Sequence, residues 1–258
     1  MNVVIVAPHQ DDEIISSFGY IYSTVASSQN KLSVLFATNG DYQGKRVSQT
    51  RYYESISALQ SCGVSSKNIY YMGYADTGMQ KTDSFLYRLY QLNDTTILPS
   101  SCSEKTYHPV SLNTVHKLFH NSEADYTKKN FVQDLKAIIS FLNPEVLVIP
   151  SIYDYHGDHA ALALFFKKYI LPIYTSQTYY YLVHTENDLL WPTREMDLWQ
   201  KPSHLPDFIW QNRKVFSYSK NIVNKKYQAI QKFKSQDPFA LNSYLLSFAK
   251  KEEIFFSD

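Results

Sequence analysis

Two hydrophobic patterns alternate along most of this chain. Short runs of consecutive apolar residues, many of them β-branched, are typical of strands buried on both faces of a parallel sheet. Segments in which apolar residues recur every three or four positions indicate amphipathic helices. Strands are predicted at Val3 to Val6, Leu32 to Ala37, Asn68 to Met72, Val146 to Ile149 and Tyr179 to Val183. Helices are predicted at Ile14 to Ser28, Ser48 to Cys62, Lys129 to Leu142 and Ala160 to Tyr169.

The alternation of strands and helices predicts a Rossmann-like, doubly wound α/β fold, in which a mostly parallel sheet carries helices on both faces. Residues 80–125 interrupt the pattern, because they are polar and lack a sustained period, so we expect an irregular insertion there. Two more helices are predicted at 221–234 and 238–251. At 258 residues the chain suits one sizeable domain. We therefore expect a single domain over 1–258 with a helical tail at about 220–251.

Composition and charge exclude several classes of protein. A hydrophobic content of 44% and a charged content of 19% are ordinary for a folded globular chain. With 25 basic and 24 acidic residues, the chain has no excess positive charge for binding nucleic acid. Cys62 and Cys102 lack metal-site spacing, and neither a signal peptide nor an apolar run of membrane-spanning length is visible. We expect a cytoplasmic protein with no nucleic-acid partner and no stable membrane insertion.

Two stretches rich in histidine and aspartate each follow a predicted strand. His9, Asp11 and Asp12 come directly after the first strand, and His156 and His159 follow the fourth. Because the carboxyl ends of parallel strands meet at one edge of a sheet, we expect the two stretches to form one site. Asp-Asp-Glu before a helix also fits an ordinary N-terminal cap, and His-Gly-Asp-His alone is a weak metal signal. Their joint occurrence after two strands favours a metal site.

The residue types in these stretches predict a catalytic metal centre. His9, Asp12 and His159 would supply two nitrogens and one oxygen, and three protein ligands with a position left for water are the pattern of a catalytic zinc. Zinc is the expected cofactor, and another divalent transition metal would also suit these ligands. Asp11 would take a proton from water as general base. His156 would stabilise an oxyanion or protonate a leaving nitrogen.

These motifs resemble the signatures of a known enzyme family. The segment A-P-H-Q-D-D-E at 7–13 is similar to the (A/P)-H-x-D-D-E signature of the LmbE-like, or PIG-L, zinc-dependent de-N-acetylases. H-G-D-H at 156–159 resembles their H-x-D-H signature. Three further segments, T-N-G-D at 38–41, R-x-x-E at 51–54 and M-G-Y-A-D at 72–76, resemble family motifs that lie between these two. Gln10 stands where the family usually has proline, which costs the turn some stiffness but removes no ligand.

The resemblance implies an LmbE-like fold and a metal-dependent hydrolase that removes acetyl from an N-acetylated amino sugar of the N-acetylglucosamine type. It implies the roles given above for the three ligands, the base and the oxyanion stabiliser. It further implies that Asp158 orients a histidine and that Arg51 and Asp76 contact sugar hydroxyls. His184, at the end of the last predicted strand, is a further candidate for substrate contact.

Two other functions stay open at this point. A non-catalytic sugar- or nucleotide-binding module on the same sheet would have no need of Asp11 as a base. A magnesium-dependent phosphoryl hydrolase would suit the carboxylates, but the histidines favour zinc. The expected partner is a small molecule or glycoconjugate that carries an N-acetyl amino sugar. Its identity and the oligomeric state of the protein do not follow from the sequence.

Overall fold

The structure is a computed structural model that describes residues 1–186, 191–193, 198–236 and 244–257. Its strands are β1 (Asn2–Ala7), β2 (Lys31–Thr38), β3 (Ile69–Tyr74), β4 (Val146–Pro150), β5 (Gln177–Tyr181), β6 (Lys214–Ser217) and β7 (Glu252–Phe255). Its α-helices are α1 (Asp12–Ala26), α2 (Lys45–Ser61), α3 (Phe85–Gln91), α4 (Val115–His120), α5 (Lys128–Leu142), α6 (Gly157–Tyr169), α7 (Asp207–Gln211) and α8 (Lys220–Ile230). Short 3₁₀ helices are described at Ser66–Asn68 and Leu245–Phe248.

The first five strands form a parallel sheet in the order β3-β2-β1-β4-β5. In the central strand, Ile5 is paired with Val34 of β2 and Val148 of β4. Residues 3–7 of this strand are buried throughout, which accounts for the unbroken apolar run in the sequence. The predicted α/β fold with a mostly parallel sheet is confirmed.

The helices contact one another in two groups along the sheet. One group joins α1, α2 and α8, and the other joins α3, α4, α5 and α6. α5 shows why the sequence forms such helices: Thr127 caps its first turn by accepting from Asn130 N, and Asn143 ends it in the left-handed conformation. Within the described ranges, no helix combines the length and apolar character that crossing a membrane requires.

The insertion at 80–125 contains α3 and α4, separated by irregular chain. One of the two predicted tail helices corresponds to α8, which ends at Ile230. The other, at 238–251, is wrong over the described residues: only Leu245–Phe248 is helical, as a 3₁₀ turn, and β7 begins at Glu252. Residues 238–243 of that prediction lie outside the described part of the chain.

A small antiparallel sheet of β6 and β7 was not predicted from the sequence. It pairs Val215 with Ile254, and its register depends on residues some forty positions apart, which no local pattern specifies. Its buried Glu253 accepts hydrogen bonds from the backbone N–H groups of Gly19 and Tyr20 at 2.8 and 3.0 Å. These donors are free because α1 is interrupted at Ser17, whose φ and ψ are −138° and 16°. Glu253 therefore caps the second half of α1.

Candidate metal and catalytic centre

The two histidine- and aspartate-rich stretches lie side by side in the folded chain. One follows β1 and the other follows β4, and these strands are neighbours at the point where the strand order reverses direction along the sequence. In doubly wound sheets this is where a crevice forms outside the carboxyl ends of the strands. The fold therefore places both stretches at the position where such proteins bind their ligands.

A carboxylate oxygen of Asp12 lies between two imidazole rings. Asp12 Oδ2 is 3.4 Å from Nδ1 of His9 and 3.2 Å from Nε2 of His159. Ligand atoms around a tetrahedral zinc, at the usual bond lengths of about 2.1 Å, are roughly 3.4 Å apart. Asp12 Oδ2 is therefore spaced from each of the two nitrogens as two ligands of one divalent ion are.

The remaining ring nitrogen of each histidine faces a second buried aspartate. His9 Nε2 is 3.2 Å from Asp158 Oδ2, and His159 Nδ1 is 3.2 Å from Asp154 Oδ2. Histidines that bind metals usually have their other nitrogen held by a carboxylate in this way, which fixes the tautomer and the ring orientation. The two rings are thus oriented with one nitrogen each towards Asp12.

Burial and charge in this cluster favour a bound cation. Both nitrogens of His159 are buried, and neither makes a well-formed hydrogen bond to another described residue. Burial alone would lower the pKa of His159, but Asp12 and Asp154 raise it to about 10. Burial likewise opposes a charge on His9, yet Asp76, Asp12 and Asp158 raise its pKa well above the ordinary value. The aspartates thus hold protons on both imidazoles, and a divalent ion could replace those protons.

Asp11 lies beside this cluster in an unusual backbone conformation. Its φ of 142° is rarely adopted by residues other than glycine, and such strain concentrates at functional sites. Its side chain does not cap α1; instead its backbone N–H donates to Glu13 Oε2 at 2.9 Å. Glu13 in turn accepts from Ser55 Oγ at 2.8 Å, so a buried network braces the turn. This bracing leaves the Asp11 carboxylate available for chemistry.

The environment of Asp11 adjusts its acidity towards neutrality. Burial raises its pKa, the nearby guanidinium of Arg51 lowers it, and the charge of Asp12 raises it, with a net value of about 7. Arg51 Nη2 is 3.6 Å from Asp11 Oδ2. A carboxylate with a pKa near the working pH can both accept and return a proton.

His156 has one ring nitrogen occupied and one free to donate. Its Nδ1 accepts the backbone N–H of Asp158 at 3.2 Å, as the cap of α6, so the neutral ring carries its proton on Nε2. Burial, together with His9 and His159, lowers its pKa well below the ordinary value. Its ring centroid is 4.6 Å from that of His9. His156 is therefore a neutral N–H donor at the edge of the cluster.

Asp154 is a site residue that the sequence analysis missed. Besides facing His159, it accepts the backbone N–H groups of His156, Val183 and His184 at 3.0, 2.8 and 3.2 Å. It therefore links the loop after β4 to the chain after β5. Its position between β4 and α6, two residues before His156, was the available signal. Asp158, which was predicted to orient a histidine, lies against His9 and also accepts Leu86 N at 2.7 Å.

The three residues predicted to contact substrate lie around the same cluster. Asp76 Oδ2 is 3.8 Å from Arg51 Nη1 and 3.9 Å from His9 Nε2. The ring centroid of His184 is 5.1 Å from that of His159 and 5.3 Å from that of His156. Its other face is stacked on Tyr244. Burial lowers the pKa of His184 to about 4, so the ring is neutral.

More side chains reach the cluster than the predicted ligand set contains. One ligand atom each from His9, His156 and His159 lies within 4.8 Å of the others, and the same holds for Asp12, His159 and His184. His159 belongs to both groups and is fully buried. It is therefore the residue that these two groups share, whereas His9, Asp76 and Asp158 form a further group without it.

Two residues shape the loops around the cluster. Gln10, the departure from the family motif, donates from Nε2 to Thr38 O at 2.9 Å and so ties the loop after β1 to the end of β2. A Cβ at Gly157 would come 2.0 Å from Ser84 Oγ, so glycine allows the start of the insertion to lie directly against the first turn of α6. Gly157 N also donates to Met79 O at 2.7 Å.

A cleft runs past the cluster in three connected parts. The central cavity, of about 270 Å³, contains Asp11 and reaches His184. A larger polar cavity of about 500 Å³ adjoins it at Arg51 and Asp76, and a third of about 300 Å³ adjoins it at His184. The polar cavity is also lined by Tyr42, Gln43, Gln80, Asp83 and Gln236. The cleft is thus larger than an acetyl group requires and extends away from the cluster on both sides.

Comparison with known proteins identifies the class. The family model described as GlcNAc-PI de-N-acetylase (PIG-L) matches residues 4–170. The chain belongs to this family, and the resemblance inferred from its motifs is confirmed. No curated protein matches the sequence.

Several solved structures share the fold at low sequence identity. A deacetylase of the teicoplanin biosynthesis pathway is 16% identical with a TM-score of 0.59, covering 99% of this chain and 97% of that one. A zinc-inhibited form of teicoplanin deacetylase is 14% identical with a TM-score of 0.58 and the same coverage. N,N'-diacetylchitobiose deacetylase from Pyrococcus horikoshii is 13% identical with a TM-score of 0.52, covering 93% of this chain and 71% of that one. These similarities show that the chain has the α/β fold of these structures.

Proposed function

We propose that this protein is a zinc-dependent amide hydrolase that removes acetyl from an N-acetylated amino sugar conjugate. Family membership supports an amide hydrolase, and the arrangement around Asp11 carries the finer assignment. Asp11 is a buried carboxylate with a pKa near 7 that lies beside the proposed ligands His9, Asp12 and His159. A ligand set that only binds a metal needs no such neighbour, whereas hydrolysis needs a base.

Zinc is proposed because two imidazoles and one carboxylate match the ligands of catalytic zinc sites. Another divalent transition metal would suit the same atoms. When bound, the ion supplies Lewis-acid polarisation of an amide carbonyl and makes water more acidic. Each ligand histidine keeps its orientation through an aspartate on its far nitrogen, Asp158 for His9 and Asp154 for His159.

Proton transfer falls to residues that are not ligands. Asp11 takes a proton from the attacking water, and the Arg51 guanidinium 3.6 Å away keeps the carboxylate ionised for that step. His156 donates its Nε2–H to the carbonyl oxygen as negative charge develops there. The proton that Asp11 has taken from water then goes to the departing amine, which leaves with acetate as the other product.

The proposed substrate binds along the cleft with its acetamide at the cluster. Arg51 and Asp76 contact sugar hydroxyls, and His184 lines the other side of the central cavity. The polar cavity beyond Arg51 and Asp76 suits the hydroxyl-rich remainder of a glycoconjugate. A single domain over 1–258 and a cytoplasmic location stay predictions.

An acetate-release screen tests this proposal. N-acetylglucosamine, its disaccharide and lipid- or thiol-linked conjugates are incubated with the protein, with added zinc or with a chelator. We expect acetate release from at least one N-acetylglucosamine compound, abolished by chelator and restored by zinc.

Parallel assays distinguish the rival functions. Hydrolysis of a phosphate ester with magnesium, and no acetate release, would indicate the phosphoryl hydrolase instead. Sugar binding with no turnover in any condition would indicate a non-catalytic binding module.

A further inference from the structure

A second group of metal-binding side chains lies where α4 contacts α5. His116 and His120 are four residues apart on α4, so they share one side of that helix. Their ring centroids are 4.5 Å apart. Asp134 of α5 approaches from the other side, with Oδ1 2.7 Å from His116 Nδ1. One ligand atom from each of the three lies within 4.8 Å of the other two, which is within the span of a single ion.

The three residues differ in burial, from Asp134 in the interior to His120 at the surface. Asp134 is completely buried, His116 is 9% exposed and His120 is exposed. The second oxygen of Asp134 accepts from Tyr74 Oη of β3 at 3.3 Å. The two hydrogen-bond partners of Asp134, the His116 ring and the Tyr74 hydroxyl, can both be neutral, so the buried negative charge of Asp134 has little compensation. A cation bound from the solvent side would compensate that charge. The exposed ring of His120 leaves a route for that ion to enter.

We propose that His116, His120 and Asp134 bind a divalent transition-metal ion, with water completing its coordination. Two imidazoles and one carboxylate are a ligand set that zinc and its neighbours accept. The facing atoms of His116 and Asp134 are at hydrogen-bond distance, 2.7 Å apart, and a bound ion would replace the proton between them. Ligand atoms of a tetrahedral ion are about 3.4 Å apart, so these two must separate by about 0.7 Å when the ion replaces the proton.

The bound ion would fasten the insertion to the rest of the fold. α4 belongs to the 80–125 insertion, whereas α5 and β3 belong to the α/β core. Through Asp134 and Tyr74 the ion would join α4 to both elements. None of the three ligands is among the described residues that line the cleft, so this proposal does not depend on the proposed function.

Zinc content per chain tests the proposal on the full-length protein. Wild type, His120→Ala, His159→Ala and the double variant are dialysed against the same free zinc concentration, and bound zinc is measured by elemental analysis. We expect His120→Ala to hold one equivalent less than wild type, and the double variant one less than His159→Ala, whether or not the first cluster binds zinc. Lys117→Ala, which removes an exposed side chain from the same helix, is the matched control and keeps the wild-type content.

Thermal unfolding gives an independent readout of the same site. In the His159→Ala background, added zinc should raise the melting temperature, and His120→Ala should abolish that rise. Because His120 is exposed, its replacement leaves the fold intact, and Asp134→Asn then tests the buried ligand with little change of shape. Equal zinc content and equal zinc-dependent stabilisation with and without His120 would overturn the proposal.

Discussion

Asp154 holds His159 from the side opposite Asp12. Its Oδ2 is 3.2 Å from Nδ1 of His159, while Asp12 Oδ2 is 3.2 Å from Nε2 of the same ring. The ring is fully buried, so these two carboxylates set its tautomer and its direction. Asp154 therefore affects binding of the proposed metal indirectly, by orienting His159.

Replacing Asp154 by asparagine should weaken metal binding by about 10- to 100-fold, because such partners raise the basicity of a ligand histidine and fix its orientation. The amide keeps the shape of the side chain, and its single oxygen can still accept either from His156 N or from Val183 N and His184 N. Competition with a chromophoric chelator measures the affinity. Asp94→Asn, at a carboxylate whose side chain is 73% exposed, is the control and should bind as wild type does. Unchanged affinity in Asp154→Asn would contradict the role given to this residue.

Removing the guanidinium of Arg51 should shift the pH dependence of catalysis. Burial raises the pKa of Asp11 and Arg51 lowers it, to about 7, so Arg51→Met should raise it further. The base is then protonated over a wider range, and the acidic limb of the kcat/KM profile moves to higher pH. On that limb the rate follows the ionised fraction of the base, so a tenfold weaker acid gives a rate about tenfold lower. Arg51→Lys, which keeps a positive charge, should show a smaller displacement, and coincident profiles for Arg51→Met and wild type would exclude this coupling.

Breaking the buried ion pair between Lys226 and Glu253 should lower the free energy of unfolding more than breaking an exposed ion pair does. Lys226 Nζ is 2.9 Å from Glu253 Oε1, and both side chains are almost completely buried. Glu253→Gln leaves the lysine charge unpaired in the interior, which typically costs about 3–5 kcal/mol. Urea unfolding measures the free energy of unfolding of the variant against wild type.

A matched control for this ion pair is the exposed pair of Lys105 and Asp125, 3.4 Å apart with both side chains about half exposed. Lys105→Met should cost no more than about 1 kcal/mol. The double variant Lys226→Met with Glu253→Gln should recover part of the loss, because no charge is then left buried. A similar cost for the buried and exposed variants would contradict the importance given to the buried ion pair of Lys226 and Glu253.

The convergence of His9, Asp12 and His159 could be predicted because each part of it is local. Short runs of β-branched residues predict buried parallel strands, and polar side chains that directly follow such strands lie at the same edge of the sheet. Neither inference needs a distant pairing. The strand order, with β1 beside β4, then determines that the two loops meet.

Other features depend on contacts that no local pattern contains. In the sequence, Asp154 cannot be distinguished from an ordinary loop aspartate. Its role depends on hydrogen bonds from Val183 N and His184 N, which follow β5 and lie about thirty positions away. The pairing of β6 with β7 likewise joins distant residues, and helical spacing around Leu245 predicts a helix where the structure has a 3₁₀ turn and then a strand. The sequence therefore predicted where the two histidine- and aspartate-rich stretches meet, but not the structure of its tail.

Asp11→Asn provides the most direct test of the central claim, that Asp11 acts as a base beside the metal rather than as a ligand. Zinc content and acetate release are measured together in this variant, in wild type and in His159→Ala. We expect Asp11→Asn to keep the wild-type zinc content of the cluster and to lose acetate release by about 10²–10⁴-fold, whereas His159→Ala loses the zinc. Acetate release at the wild-type rate from Asp11→Asn would contradict the account.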